Sequence, residues 1–188
     1  MRIVVVGTGG AEKTTFARQI AACLEAPYVE LDALYWLLGW QKRPLEEFQA
    51  LAASATTGAS WVVDGNYRSA REIIWLQATH VVWLNYSRAT ILRRIIRRTL
   101  QRSLTSRPLW GGNQESLTKA FFSRESIILW SLTTFAENRR DYTEIRQAGT
   151  YPALHWQVLY SPLEADQFLA DLCRERNTAI VKEKTRNQ

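Results

Sequence analysis

The residues best suited to chemistry stand near the start of the chain, where GTGGAEKTT spans Gly7 to Thr15 directly after the apolar run Ile3 to Val6. Successive backbone N–H groups of a glycine loop that opens a helix surround phosphate oxygens. The stretch therefore reads as a phosphate cradle built from Gly7, Thr8, Gly9, Gly10, Ala11, Glu12, Lys13, Thr14 and Thr15. Against the pattern G-x-x-x-x-G-K-[ST], Gly7 takes the first place, Lys13 and Thr14 the last two, and Glu12 stands where the second glycine belongs. In that role Lys13 reaches the β- and γ-phosphates of ATP and the Thr14 hydroxyl ligates Mg²⁺. The same letters nearly satisfy the dinucleotide pattern G-x-G-x-x-G through Gly7 and Gly9, with Glu30 or Asp32 closing the next strand. The Lys13-Thr14-Thr15 run, which a dinucleotide site does not need, favours the phosphate loop. Glu12 works against it, because like charges about 4 Å apart at an effective dielectric near 20 repel by roughly 4 kcal/mol, about a thousandfold in affinity. Either the loop is impaired, or Glu12 swings into solvent and nucleotide still binds.

A second cluster lies further on. From Ile73 to Gln114 there is no Asp or Glu, and Arg88, Arg93, Arg94, Arg97, Arg98, Arg102 and Arg107 supply more than the whole net charge of +6. Ile91, Leu92, Ile95, Ile96 and Leu100 form one helical face and Arg93, Arg94, Arg97 and Arg98 the other, giving a basic amphipathic helix. Without acidic partners at i+4 these arginines repel one another unless an anion compensates. Guanidinium groups match phosphate geometry, so a polyphosphate ligand could account for the cluster, and Arg94, Arg98 and Arg102 share an i, i+4, i+8 line. A solvated face or a nucleic-acid surface are the alternatives. Tyr35, Trp36 and Trp40 offer rings on which an acceptor could stack, whereas Trp61, Trp83 and Trp156 lie in or beside strands and read as core. His80 and His155 have no neighbours at metal-ligand spacing and receive no chemistry.

The elements that must hold these residues fit one α/β domain of 188 residues, 46% apolar and 22% charged. Five strands are expected at Arg2 to Val6, Tyr28 to Leu31, Trp61 to Asp64, His80 to Leu84 and Trp156 to Tyr160, alternating with helices as in a parallel sheet. Helices are expected from Thr14 to Glu25 on the stripe Phe16, Ile20, Cys23, Leu24, from Pro44 to before Gly58 on Phe48, Leu51 and Ala55, and from Ser161-Pro162 onward. One domain over 1–176 followed by a frayed polar tail over 177–188 is the expected organisation. Only Cys23 and Cys173 are present, so a disulfide scaffold or zinc finger is excluded, and buried thiols in a reducing cytoplasm are expected. With no run of roughly 18 apolar residues and no room for a signal peptide before the loop, a soluble, unprocessed protein without membrane contact is expected.

Taken in order, GTGGAEKTT, VELDALYWLLGW, WVVDGNYR, the arginine helix after WLNYSR and a last strand leading to SP resemble the P-loop kinases known as topology-modulation-protein-like adenylate kinases, within the nucleotide and shikimate kinase group. The resemblance reaches to about Cys173. It implies a five-stranded parallel core flanked by helices, a small arginine-rich lid over about 99–120, and phosphoryl transfer from ATP with Mg²⁺ to a small-molecule acceptor. The lid it implies carries arginines onto the transferring phosphate, with Arg94, Arg98 and Arg102 the preferred set and Arg139 and Arg140 second contributors. By the same resemblance Asp32 stands between metal and acceptor hydroxyl, where it would orient or deprotonate that hydroxyl; its competing reading is an N-cap for the helix from Ala33. DGNYR aligns with D-G-F-P-R of adenylate kinases, which puts Asp64 near the metal and Arg68 where an acceptor phosphate binds, although Asn66 and Tyr67 replace Phe and Pro. Asp32 points to an alcohol acceptor and Arg68 to AMP. A nucleotide-binding protein without catalysis and a nucleic-acid-associated ATPase are the rival functions.

Overall fold

The computed structural model describes residues 1–105 and 127–186, and the side chains of these apart from 98–105, 127–133 and 180–186. Its first strand, β1 (Arg2–Gly7), is apolar without alternation and buried on both sides, as expected of a central parallel strand. Around it β2 (Tyr28–Glu30), β5 (Trp61–Asp64), β6 (His80–Leu84) and β7 (His155–Leu159) complete a five-stranded sheet in the order β2-β5-β1-β6-β7. All four pairings are parallel, with Val5 opposite Asp64 on one side and Val82 on the other. The remaining strands, β3 (Trp36–Leu37) and β4 (Gln41–Lys42), form a separate antiparallel hairpin.

Helices cover both faces. Ile3, Val5, Val62, Val82 and Leu84 pack under α1 (Lys13–Leu24), α5 (Arg88–Thr105) and α7 (Pro162–Arg186) through Phe16, Ile20, Ile91, Ile95, Ala165 and Leu172. On the opposite face Val4, Val6, Val63, Val81 and Trp83 meet α3 (Leu45–Ala55), α4 (Arg68–Trp75) and α6 (Ile127–Ala148) through Phe48, Ala52, Ile74, Trp75 and Tyr142. Trp61 and Trp83 are core as expected, and Trp156 is half-buried against Trp75 and Trp83.

Several expectations need correction. Leu31 opens α2 (Leu31–Tyr35) rather than ending a strand, and Pro44 caps α3 rather than occupying its first turn. Helix α1 ends through Glu25 in the left-handed region, before Pro27 is reached. The segment expected to fray from Asn177 continues as helix to Arg186, since nothing in it removes a backbone donor or demands a turn. Cys23 and Cys173 are not free thiols but a disulfide; the packing of α1 on α7 joins two positions 150 residues apart, which spacing alone could not reveal. No helix among the described residues is long and apolar enough to cross a membrane.

At the lower rim of the sheet His80 faces His155, ring centroids 5.2 Å apart. Burial first, then the neighbouring His155 and the N-terminal ammonium, hold the His80 imidazole below its usual 6.5. The folded chain therefore binds less proton than the unfolded chain as pH falls through about 6.5, and stability is full above that pH and declines below it. Denaturant midpoints from pH 8 to pH 5 should show this decline, and His80→Gln should blunt it; the same decline in both proteins would remove His80 as its source.

Candidate functional site

The glycine loop leaves β1 and enters α1, so its backbone donors converge at one helix start. Gly7 and Gly10 are required by space, since a Cβ on Gly7 would stand 2.8 Å from the Leu84 carbonyl and one on Gly10 2.4 Å from Ile95 of α5. Thr8 and Ala11 are buried, and the Ala11 N–H closes a turn onto the Thr8 carbonyl at 3.1 Å. Lys13 and Thr14 open α1 as its first two residues, and the Lys13 ammonium donates to the Thr8 carbonyl at 3.4 Å.

Glu12 adopts φ 65°, ψ 37°, the left-handed conformation that favours glycine. The position thus keeps the backbone of a loop glycine while carrying a side chain, at a cost of about 1–2 kcal/mol. Its carboxylate stays partly open to water but is not free in it. It pairs at 3.2 Å with Nη1 of Arg94, which also donates to the Ala11 carbonyl at 3.1 Å and lies over the Tyr86 ring. Arg94, one of the three arginines expected on a phosphate, is therefore held at the loop by the loop's own carboxylate. Burial, opposed by Arg94, pushes the Tyr86 hydroxyl up to about 12. Arg93 and Arg97 are exposed on the outer face of α5. The side chains of Arg98 and Arg102, the Arg107 and Gly111-Gly112 segment, and the expected lid beyond residue 105 lie outside the described residues.

One turn after β5 organises the remainder. Asp64, 3% exposed, accepts from the Thr14 hydroxyl at 2.7 Å and from the Tyr28 hydroxyl at 2.9 Å. Burial raises the Asp64 carboxyl above its ordinary range, against the Thr14 hydrogen bond and the charge of Lys13. Next, Asn66 brackets Gly7, donating to its carbonyl at 2.6 Å and accepting from its N–H at 3.3 Å. Then Tyr67 donates its hydroxyl to Asp32. Burial first and the Asp32 carboxylate second keep the Tyr67 hydroxyl protonated. Residues 64 to 67 thus fasten the loop, the Thr14 hydroxyl and the Asp32 carboxylate to one another.

Asp32 is the second residue of α2, whose cap is Glu30, so the reading of Asp32 as an N-cap is wrong. Tyr35 packs with Phe48 and Tyr67 at 5.2 and 4.6 Å, while Trp36 and Trp40 meet edge to face on the hairpin. Tyr35, packed on the ring whose hydroxyl holds Asp32, and Trp36 are both half-buried. Arg68 is turned elsewhere: it donates to Glu137 at 3.1 Å and stands 3.6 Å from Asp141, both on α6. Arg71 grips the same Asp141 and lies over the Trp75 and Tyr142 rings. Arg140 pairs with Glu144, and Arg139 lines a cleft of about 660 Å³ with Arg88 and Phe135. The roles of Tyr28, Asn66, Tyr67 and Tyr86 escape a reading of the sequence. Only the replacement of Phe and Pro by Asn66 and Tyr67 in the DGNYR segment marks a place where something differs.

No family model matches the sequence, and no curated protein matches it. Among solved structures, a gluconokinase from Sinorhizobium meliloti 1021 is similar at 19% identity with a TM-score of 0.51, over 95% of this chain and 96% of that one. That likeness shows a shared fold, an α/β arrangement with a five-stranded parallel sheet flanked by helices.

Proposed function

We propose that this chain, built on the P-loop kinase fold, is an ATP-dependent phosphotransferase for a small hydroxyl-bearing acceptor. The observation that carries the reading is the Thr14 hydroxyl bonded at 2.7 Å to a buried Asp64 carboxylate, beside Lys13 at the start of α1. A hydroxyl and a carboxylate are hard oxygen donors suited to Mg²⁺, so Thr14 and Asp64 are the residues that would hold it. When bound, Mg²⁺ neutralises charge on the phosphates. Lys13 and the loop N–H groups bind the triphosphate, Arg94 is within reach of the loop, and Asp32 orients the acceptor hydroxyl and takes its proton.

An alcohol is favoured over AMP. Asp32 would repel an acceptor phosphate, and Arg68, the one argument for AMP, is occupied by Glu137 and Asp141. The structural neighbour is named a gluconokinase, which agrees. Kinship with topology-modulation-protein-like adenylate kinases is proposed on the order of the motifs, without their AMP specificity. A second reading, a nucleotide-binding protein without turnover, is favoured by Glu12 in its pair with Arg94.

The test is ADP release from ATP·Mg²⁺ with sugar acids, polyols, nucleosides and AMP as acceptors, next to thermal shifts with ATP·Mg²⁺, NAD and a short duplex. A shift with ATP·Mg²⁺ alone and turnover with an alcohol are expected. A shift without turnover on any acceptor supports the second reading, and a shift with NAD or duplex in place of ATP removes both. Lys13→Ala should weaken ATP binding about tenfold, the contribution of one charge-assisted contact. Unchanged affinity would mean that the nucleotide does not sit in this loop.

A further inference from the structure

The Cys23–Cys173 bond joins α1 to α7 near the end of α1 opposite Lys13, across a Cα separation of 5.6 Å that lies within the ordinary range for bridged residues. Both cysteines are half-buried, so the bond is open to a small reagent without unfolding. Arg176, three residues beyond Cys173, donates to the Cys23 carbonyl and pairs with Glu25 at 2.7 Å. Arg176 thus ties α7 to the end of α1 at the bond itself. The bond has a non-covalent companion as well: Arg176 with Glu25, Phe16 against Phe168 at 6.4 Å, and buried Leu172 also hold α7 on α1. The two helices therefore stay docked when the bond opens.

We propose that Cys23 and Cys173 form a reversible thiol–disulfide site, opened by a small thiol of the glutathione class and closed by the corresponding disulfide. In opening, a thiolate attacks one sulfur, the Cys–Cys bond breaks, and a mixed disulfide forms while the other cysteine leaves as thiolate and takes a proton. A second small thiol attacks the mixed disulfide and releases the remaining cysteine. Two small thiols become one small disulfide and the protein gains two thiols; closing is the reverse. Opening frees a ring of 150 residues in the unfolded chain, so the consequence is read in stability and does not depend on the kinase reading.

The experiment is thermal unfolding of the full chain in buffers of stepped reduced to oxidised glutathione ratio, with thiol alkylation and mass measurement on the folded protein. The midpoint should fall by about 10 °C between the oxidising and reducing ends, with two thiols appearing over the same ratios. Cys173→Ser and Cys23→Ser should both sit at the low midpoint and ignore the buffer. Two free thiols in the oxidised buffer would overturn the proposal, as would a bond that stays closed in millimolar reduced glutathione until the protein unfolds. So would a midpoint that moves equally in the serine variants. The wild-type titration decides the matter even where a variant fails to fold.

Discussion

Glu12→Gly is expected to tighten ATP·Mg²⁺ binding by about one to three orders of magnitude. The upper figure is the roughly 4 kcal/mol repulsion of a carboxylate about 4 Å from a phosphate oxygen; the lower reflects the cation already beside it, since Arg94 stands 3.2 Å from Glu12. Both groups remain partly open to water, Glu12 at 45% and Arg94 at 24% side-chain exposure, so their pairing itself contributes little, about 0–1 kcal/mol. The larger matter is competition, for the guanidinium that a phosphate needs is occupied by the loop's own carboxylate. Glycine frees Arg94, removes the charge and fits the observed φ of 65° without strain. Loss of a weak pair and relief of a strained backbone nearly offset one another, so folding stability should change little while affinity changes much. Glu12→Ala separates the two causes: if charge dominates, alanine recovers most of the gain despite its Cβ. Arg94→Ala should weaken binding more in the Glu12→Gly protein than in the parent, because only there is the arginine available. Calorimetry on the five proteins reads all of this, and equal dissociation constants for parent and Glu12→Gly would show that Glu12 leaves the phosphates alone.

The loop was legible because its chemistry is local. Strand, glycines, Lys13 and Thr14 follow one another in sequence, and the parallel sheet follows from alternating apolar runs and helical stripes. What the sequence hid depends on contacts between distant positions. Glu12 reads as a carboxylate facing either phosphate or water, and its actual partner, Arg94, stands 82 residues on. Asp32 could be named as a carboxylate near an acceptor, but the hydroxyl that holds it comes from Tyr67, 35 positions on. Arg68 is the instructive case. Its place in DGNYR suggests phosphate binding, yet it opens α4 against α6, and the acids of α6 at Glu137 and Asp141 satisfy it first. The helix α2, the β3–β4 hairpin and α4 are each eight residues or fewer, too short for a periodic pattern to announce them.

Asp32→Asn, introduced beside Glu12→Gly so that turnover is measurable, should lower phosphoryl transfer by about 10²–10⁴-fold and leave ATP affinity nearly unchanged, the signature of a general base acting on the acceptor. Geometry explains the specificity of the substitution. Tyr67, kept protonated by burial and by Asp32 itself, donates to one carboxylate oxygen and leaves the other to receive the acceptor's proton. An asparagine can still accept from Tyr67 through its carbonyl, so the side chain stays in place, but the other end now presents N–H donors that cannot take a proton. Tyr67→Phe provides the complementary case, because it removes the hydroxyl that aims Asp32 while leaving the carboxylate and the ring packing with Tyr35 and Phe48. It should reduce kcat less than Asp32→Asn does and raise KM for the acceptor, while KM for ATP holds. Transfer that survives Asp32→Asn intact would reduce Asp32 to an ordinary residue of α2, and AMP emerging as the best acceptor would overturn the preference for an alcohol, since a phosphate group held against the Asp32 carboxylate contradicts the electrostatics on which that preference stands.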